Sequence, residues 1–153
     1  MENVWDYPRP PRVERCTRRV RVQLEGVILV DTRDALRVLE TSHPPTIYVA
    51  LAEVAEGVLV SSAHAPSLCE FKGRAIYLDA IVGGQLHEAV AWTYPQPAPG
   101  YEMLGDRVSF YPGRVRAWLD DEPVAAQPGD FYGGWITGDL KGPFKGAPGT
   151  LGW

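Results

Sequence analysis

Two strand-like runs separated by a Gly-Gly pair constrain this chain most. Arg74–Val82 reads RAIYLDAIV and Gln85–Tyr94 reads QLHEAVAWTY, with only Gly83 and Gly84 between them. A two-residue hairpin turn of the I′ type needs positive φ at both central positions, which glycine adopts without steric cost. The two runs therefore predict an antiparallel hairpin. Counting back from the turn places Tyr77 opposite a residue near position 90, so Tyr77 and Trp92 become near neighbours.

The rest of the chain follows the same pattern. In Arg18–Glu25, Val20, Val22 and Leu24 alternate with Arg19, Arg21 and Gln23, as in a half-buried strand. Gly26 turns this run into Val27–Asp31, a second hairpin. Thr32–Glu40 fits either a helical turn or a strand, and the quick stop at His43-Pro44-Pro45 favours a short strand. Thr46–Ala50 reads as a strand, Leu51–Glu56 as a short helix, Val58–Val60 as a strand stub and Ser61–Leu68 as a loop. Pro95–Gly100 cannot sit in a central strand. Arg107–Tyr111 and Arg114–Leu119 suggest a hairpin about Pro112-Gly113. A helix starting near Pro112 is the alternative, because Val115, Trp118 and Leu119 share a helical face.

The expected fold is thus mainly β, a small twisted antiparallel sheet with one or two short helices. A body over residues 1–130 precedes a Gly-rich tail over 131–153. The tail holds seven glycines and two prolines, but also Trp135, Phe144 and Trp153. Flexible linkers lack such anchors, so the tail is expected to wrap the body or a neighbouring subunit, the latter giving a homo-oligomer. At the other end, Pro8, Pro10 and Pro11 favour an extended path. Trp5 and Tyr7 in that arm either pack on the body or roof a pocket.

Length and charge exclude several classes. A chain of 153 residues can bury a core without disulfide or metal staples. The net charge of −4 argues against general nucleic-acid binding. Six arginines among the first 21 residues read as a solvated strand edge and its lead-in. Two cysteines, Cys16 and Cys69, and three scattered histidines make no structural zinc set. No signal-peptide core or membrane-length apolar run is present, which predicts a cytoplasmic protein with free thiols and no membrane association, and the lack of a metal-ligand set or phosphate-binding loop goes with an expectation of no cofactor.

Five segments then carry a resemblance. They are WDYPRPPR at 5–12, ALRVLETSHPPTIYV at 35–49, CEFKGRAIY at 69–77, AWTYPQPAPG at 91–100 and RVSFY at 107–111. In order and spacing they resemble the bacterial DUF427 family, over roughly residues 3 to 120. The resemblance implies a β-tent, or Mss4-like, fold, shared in broad outline with methionine sulfoxide reductase B and the ligand-binding domain of cereblon. Many of those proteins hold zinc through two CxxC pairs. This sequence has neither pair, so the zinc does not carry over. The resemblance implies no reaction.

The chemistry-bearing residues cluster around Leu36–Tyr48 and Cys69–Gly73. Glu40 and His43 are three apart, and a carboxylate can orient an imidazole as a general base. Lys72 follows Cys69 by three, where an ammonium would favour the thiolate or bind an anion. Arg37 can anchor an anionic group. Tyr48, Tyr77, Trp92 and Tyr94 lie on predicted strands, where same-face aromatics form a slot for a flat or cationic ligand. Glu40, His43 and Lys72 are the expected catalytic residues. Arg37, Tyr48, Cys69, Tyr77, Trp92 and Tyr94 are the expected ligand contacts. The expected function is binding of a small organic molecule, with metal-independent acid–base chemistry. A non-catalytic module for a peptide or modified side chain is the second reading, and a thiol enzyme using Cys69 the third.

Overall fold

The computed structural model describes residues 1–129 and 131–153. In the first half the strands are β1 Glu2–Asn3, β2 Arg12–Cys16, β3 Val20–Leu24, β4 Val27–Thr32, β5 Ala35–Leu39, β6 Thr46–Ala50, β7 Leu59–Ser61 and β8 Ser67–Cys69. In the second half they are β9 Gly73–Val82, β10 Gln85–Thr93, β11 Arg107–Phe110, β12 Arg116–Leu119, β13 Glu122–Pro123, β14 Ala125–Ala126, β15 Trp135–Ile136 and β16 Leu140–Lys141. Among the described residues, helix is limited to single 3₁₀ turns at Val4–Asp6, Leu51–Glu53 and Glu102–Leu104. The architecture is mainly β, in keeping with the β-tent arrangement.

A curled antiparallel sheet runs in the order β2-β5-β6-β11-β10-β9-β7, with β8 also paired to β9. A second antiparallel sheet runs β13-β12-β3-β4. Period-2 alternation gives the large sheet two different faces. One face packs Ile47, Val49, Ala80, Val82, Val108 and Phe110 against Val20, Val22, Val30, Ala117 and Leu119 of the second sheet, forming the main core. The other face carries Val38, Tyr48, Ala75, Tyr77, Trp92 and Tyr94 in a separate aromatic cluster.

The Gly83-Gly84 hairpin forms with φ of 58° and 79° at the two glycines. Val82 pairs with Gln85 and Ala80 with His87, after which the register shifts by two before Leu78 pairs with Ala91. A bulge over Glu88–Val90 causes the shift. Ala89 there takes a φ of 48°, and its N–H donates to the buried Asp79 Oδ1 at 2.7 Å. The bulge brings Trp92 directly opposite Tyr77. A shift of two residues preserves facing, so both rings stay on the aromatic side.

Three local expectations are corrected. Leu51–Glu56 is not a helix beyond one 3₁₀ turn, because Val54 is extended and the Ala55 N–H pairs with Leu29 O. Ser61–Leu68 is not all loop, since Ser67–Cys69 pairs with Gly73–Ala75 as a tight hairpin. Arg107–Tyr111 and Arg114–Leu119 form neither a hairpin nor a helix. Both edges of β11 are taken by β6 and β10, and after a turn closed on Tyr111 O the chain crosses to pair β12 with β3.

The tail crosses the body through Trp135, which is fully buried and donates its Nε1–H to Phe110 O at 3.0 Å. Further on, β16 pairs in parallel with β1, and Trp5 donates its Nε1–H to Pro143 O at 2.9 Å. The Trp5 ring also meets Trp153 edge-on at 5.1 Å. The N-terminal arm therefore fastens the tail.

Candidate functional site

The aromatic face of the large sheet is the floor of a cleft of about 220 Å³. Tyr77 and Trp92 lie side by side across the β9–β10 pair, with Tyr111 against both at centroid distances of 6.5 and 4.6 Å. Tyr94 continues the wall toward the polar end. Ser67 Oγ and Tyr77 OH are 2.9 Å apart, and the His64 ring lies 4.5 Å from the Tyr77 ring.

Three ionisable side chains meet at the polar end. Lys72 Nζ and His43 Nε2 each lie 4.0 Å from one oxygen of Glu40, on Oε1 and Oε2 respectively. Both distances are beyond hydrogen-bond reach, and only the Lys72 contact is ionic, since His43 is neutral. Glu40 arrives from the end of β5 and His43 from the turn that follows, where the His43 N–H donates to Glu40 O at 3.0 Å. That turn is what lets residues three apart face one another. Ser42 takes a φ of 71° within it.

Lys72 is placed by the β8–β9 turn. Its own N–H points at Cys69 Sγ at 3.4 Å, and its carbonyl accepts from the Ala98 N–H at 2.9 Å. Gly73, at a φ of 113°, lies against Gln96, Pro97 and Ala98, so a side chain there would be both strained and crowded. Lys72 is only 8% exposed. Burial opposes its charge, but Tyr48, Cys69 and Glu40 more than offset that, and its pKa lies above the ordinary lysine value. It is a charged ammonium, about 5.9 Å from the Tyr94 ring centroid.

His43 behaves oppositely. Burial, reinforced by Lys145, Lys72 and Arg9, lowers its pKa to about 4. Its Nδ1 meets Gln127 Nε2 at 3.0 Å, and its ring meets Tyr132 edge-on at 4.9 Å. The group aligning the imidazole is therefore the Gln127 amide, rather than the Glu40 carboxylate expected from their spacing.

The tail supplies the roof. Phe131, Tyr132 and Gly133 line the cleft, as do Gln127 and Lys145. A Cβ on Gly133 would overlap the Trp92 ring, and one on Gly134 would overlap Pro44. The two glycines are what allow the tail to lie flat across the floor. The Trp5 arm does not line the cleft; its Trp5 ring is held by Trp153 and Pro143.

Of the predicted site residues, Glu40, His43, Cys69, Lys72, Tyr77, Trp92 and Tyr94 share this cleft. Two others do not. Arg37 neighbours Val38, which lines the cleft, so period-2 alternation turns Arg37 to the opposite face. There Arg37 Nη2 pairs with Glu2 and Glu14 at 2.8 and 2.6 Å, beside a different cavity. Tyr48 is fully buried beneath the wall, and its OH accepts the Trp92 Nε1–H at 3.0 Å. It supports the floor rather than lining it. Tyr111, Gln127, Phe131, Tyr132 and Lys145 were not anticipated as cleft residues. The FYGGW run at 131–135 carried a usable signal, because paired glycines between aromatics mark close backbone approach to another surface.

The two cysteines of the chain, Cys16 and Cys69, stand on opposite faces of the large sheet. Cys69 stands at the cleft, while Cys16 lies by the cavity on the other face. Among the described residues, no group of three His, Cys, Asp or Glu is placed to hold a metal ion, and no helix is long and apolar enough to cross a membrane.

Together these features define a mainly β protein with a half-covered polar-aromatic cleft. A family model described as Domain of unknown function (DUF427) matches residues 12–121, and the chain belongs to that family. No curated protein matches the chain. The matched span includes the cleft floor and its charged end. The roof residues Gln127, Phe131, Tyr132, Gly133 and Lys145 all lie beyond it.

Proposed function

We propose that the cleft binds a small organic molecule and can perform proton transfer on it. The observation that carries this reading is the Lys72 ammonium. It is buried, points into an aromatic slot, and has its nearest carboxylate oxygen 4.0 Å away. An ammonium in a low-dielectric aromatic setting makes strong charge-assisted hydrogen bonds, so a ligand oxygen entering the cleft would be held by it. Glu40 is the group placed to accept a proton, since burial and nearby cations make His43 a weak base and its Nδ1 is already engaged by Gln127. Tyr77, Trp92 and Tyr111 would stack on a flat body. Pockets for drug-sized ligands run about 300–1,000 Å³, so this smaller cavity suits a single ring.

An open groove would have favoured a peptide module, the second reading. The roof from Phe131 to Gly133 supports the small-molecule reading instead. Tryptophan fluorescence titrated with benzamide, nicotinamide and 2-aminobenzoate tests it. At least one probe should quench saturably, and Lys72→Met should weaken that binding about tenfold or more. Quenching identical in the wild type and the Lys72→Met variant, or no saturable quenching, would sink the proposal.

A further inference from the structure

The roof does more than cover the cleft. Gln127 is nearly fully buried, and each end of its amide is held by a different group. Its Oε1 accepts the Gly134 N–H at 3.0 Å, and its Nε2 donates to Lys145 O at 2.7 Å. Flipping the amide would set N–H against N–H and oxygen against oxygen, so this orientation is determined by the backbone around it. The same Nε2 lies 3.0 Å from His43 Nδ1. A carboxamide nitrogen only donates, so Nδ1 must accept, and the imidazole proton resides on Nε2. Nε2 is the nitrogen facing Glu40, at 4.0 Å.

We infer that Gln127 is a positioning residue that locks His43 as an Nε2–H donor, so that the cleft selects an uncharged amide edge over an anion or a cation. The inference rests on the cleft being a small-molecule site and specifies its ligand chemistry. With His43 locked, the polar end presents two donors, His43 Nε2–H and Lys72 Nζ, on either side of one acceptor, Glu40. A carboxamide offers a carbonyl oxygen to a donor and an N–H to the carboxylate side by side. A carboxylate ligand would satisfy the donors but repel Glu40. An amine would satisfy Glu40 but meet Lys72. The lock rests on this donor geometry, in which a second proton on Nδ1 would face the Gln127 amide N–H; the lowered pKa of His43 has separate causes, burial first and then nearby cations. The charged groups around the ring are Glu40, Lys72, Lys145 and Arg9, and three of the four also oppose that proton.

Two measurements on the full chain test the inference. The first is long-range ¹⁵N correlation NMR of the histidines in ligand-free protein. His43 should show an unprotonated Nδ1 and a protonated Nε2 at neutral pH, and Gln127→Glu should move the proton to Nδ1 and raise the titration midpoint well above about 4. A wild-type His43 protonated on Nδ1, or titrating near the usual histidine value, would overturn the lock without reference to any ligand or variant. The second is binding of benzamide, benzoate and benzylamine to wild type and Gln127→Glu. Benzamide should bind about tenfold or more tighter than either charged probe, and Gln127→Glu should erase that preference. Benzoate or benzylamine binding as tightly as benzamide would overturn the ligand class while leaving the cleft a binding site. If none of the three binds wild type, the small-molecule reading and the ligand class both fail, and the nitrogen shifts alone decide the lock.

Discussion

Lys72 and His43 share a carboxylate neighbour and a buried setting that disfavours charge on both, yet they end in different charge states. Lys72 stays charged because Tyr48, Cys69 and Glu40 outweigh its burial, whereas burial, reinforced by Lys145, Lys72 and Arg9, keeps His43 neutral. The His43 case has a consequence for stability. Its folded pKa is about 4, below the 6.5 of an ordinary histidine, so the unfolded chain binds more protons between those values. Stability is therefore full above about pH 6.5 and falls as the pH drops toward 4. The linked loss is on the order of 3 kcal/mol at most. Urea unfolding at pH 7 and pH 4.5 should show a lower midpoint at the acid pH, and His43→Gln should flatten that difference. An unchanged pH slope in the variant would refute the assignment. At this scale the sequence was informative for Glu40, His43 and Lys72, whose types and spacing marked them out. It was silent on Gln127, because nothing at position 127 signals a partner 84 residues away. Arg37 lies apart from Glu40, His43 and Lys72 because Val38 faces the cleft and alternation turns its neighbour to the other side.

Among the elements, the β9–β10 hairpin shows how local chemistry sets the geometry of the site. Its turn was legible because Gly-Gly between alternating runs has a mechanism. The two-residue shift was not, because the bulge depends on a carboxylate from the opposing strand meeting an amide at Ala89. The shift matters, since plain pairing would put position 90 rather than Trp92 opposite Tyr77. Asp79→Ala should leave the buried Ala89 N–H without its acceptor and cost about 1–3 kcal/mol. Equilibrium urea unfolding measures that loss, and a variant as stable as wild type would show that the bulge does not need Asp79. The β11–β12 crossing was illegible for a different reason. Pro112-Gly113 marks a turn, but which strands flank it afterwards is decided by edges that other strands already occupy.

Across the whole molecule, strand content and the antiparallel sheets were readable from period-2 patterning, while the covering of the cleft was not. The covering depends on contacts between distant parts of the chain: the tail on Trp92 and Pro44, and the N-terminal arm on the tail. Gly133 tests this arrangement directly. A methyl group there would enter the Trp92 ring, so Gly133→Ala should lift the tail, lower stability by about 1–3 kcal/mol and weaken any cleft ligand. If urea unfolding and probe binding were both unchanged, the tail would not be the roof.

That the roof lies outside residues 12–121 bears on how such a protein diversifies. The floor is one face of the large sheet, whose other face builds the main core, and most changes to it would cost the fold. The roof touches the floor through glycines, one amide and a few rings, so its side chains can vary with little effect on the sheets beneath. Descent with modification then has an inexpensive route to new selectivity: keep the charged floor and rewrite the strap that crosses it. Related chains sharing Glu40 and Lys72 would be expected to differ in what they admit according to the residue each places against its own imidazole.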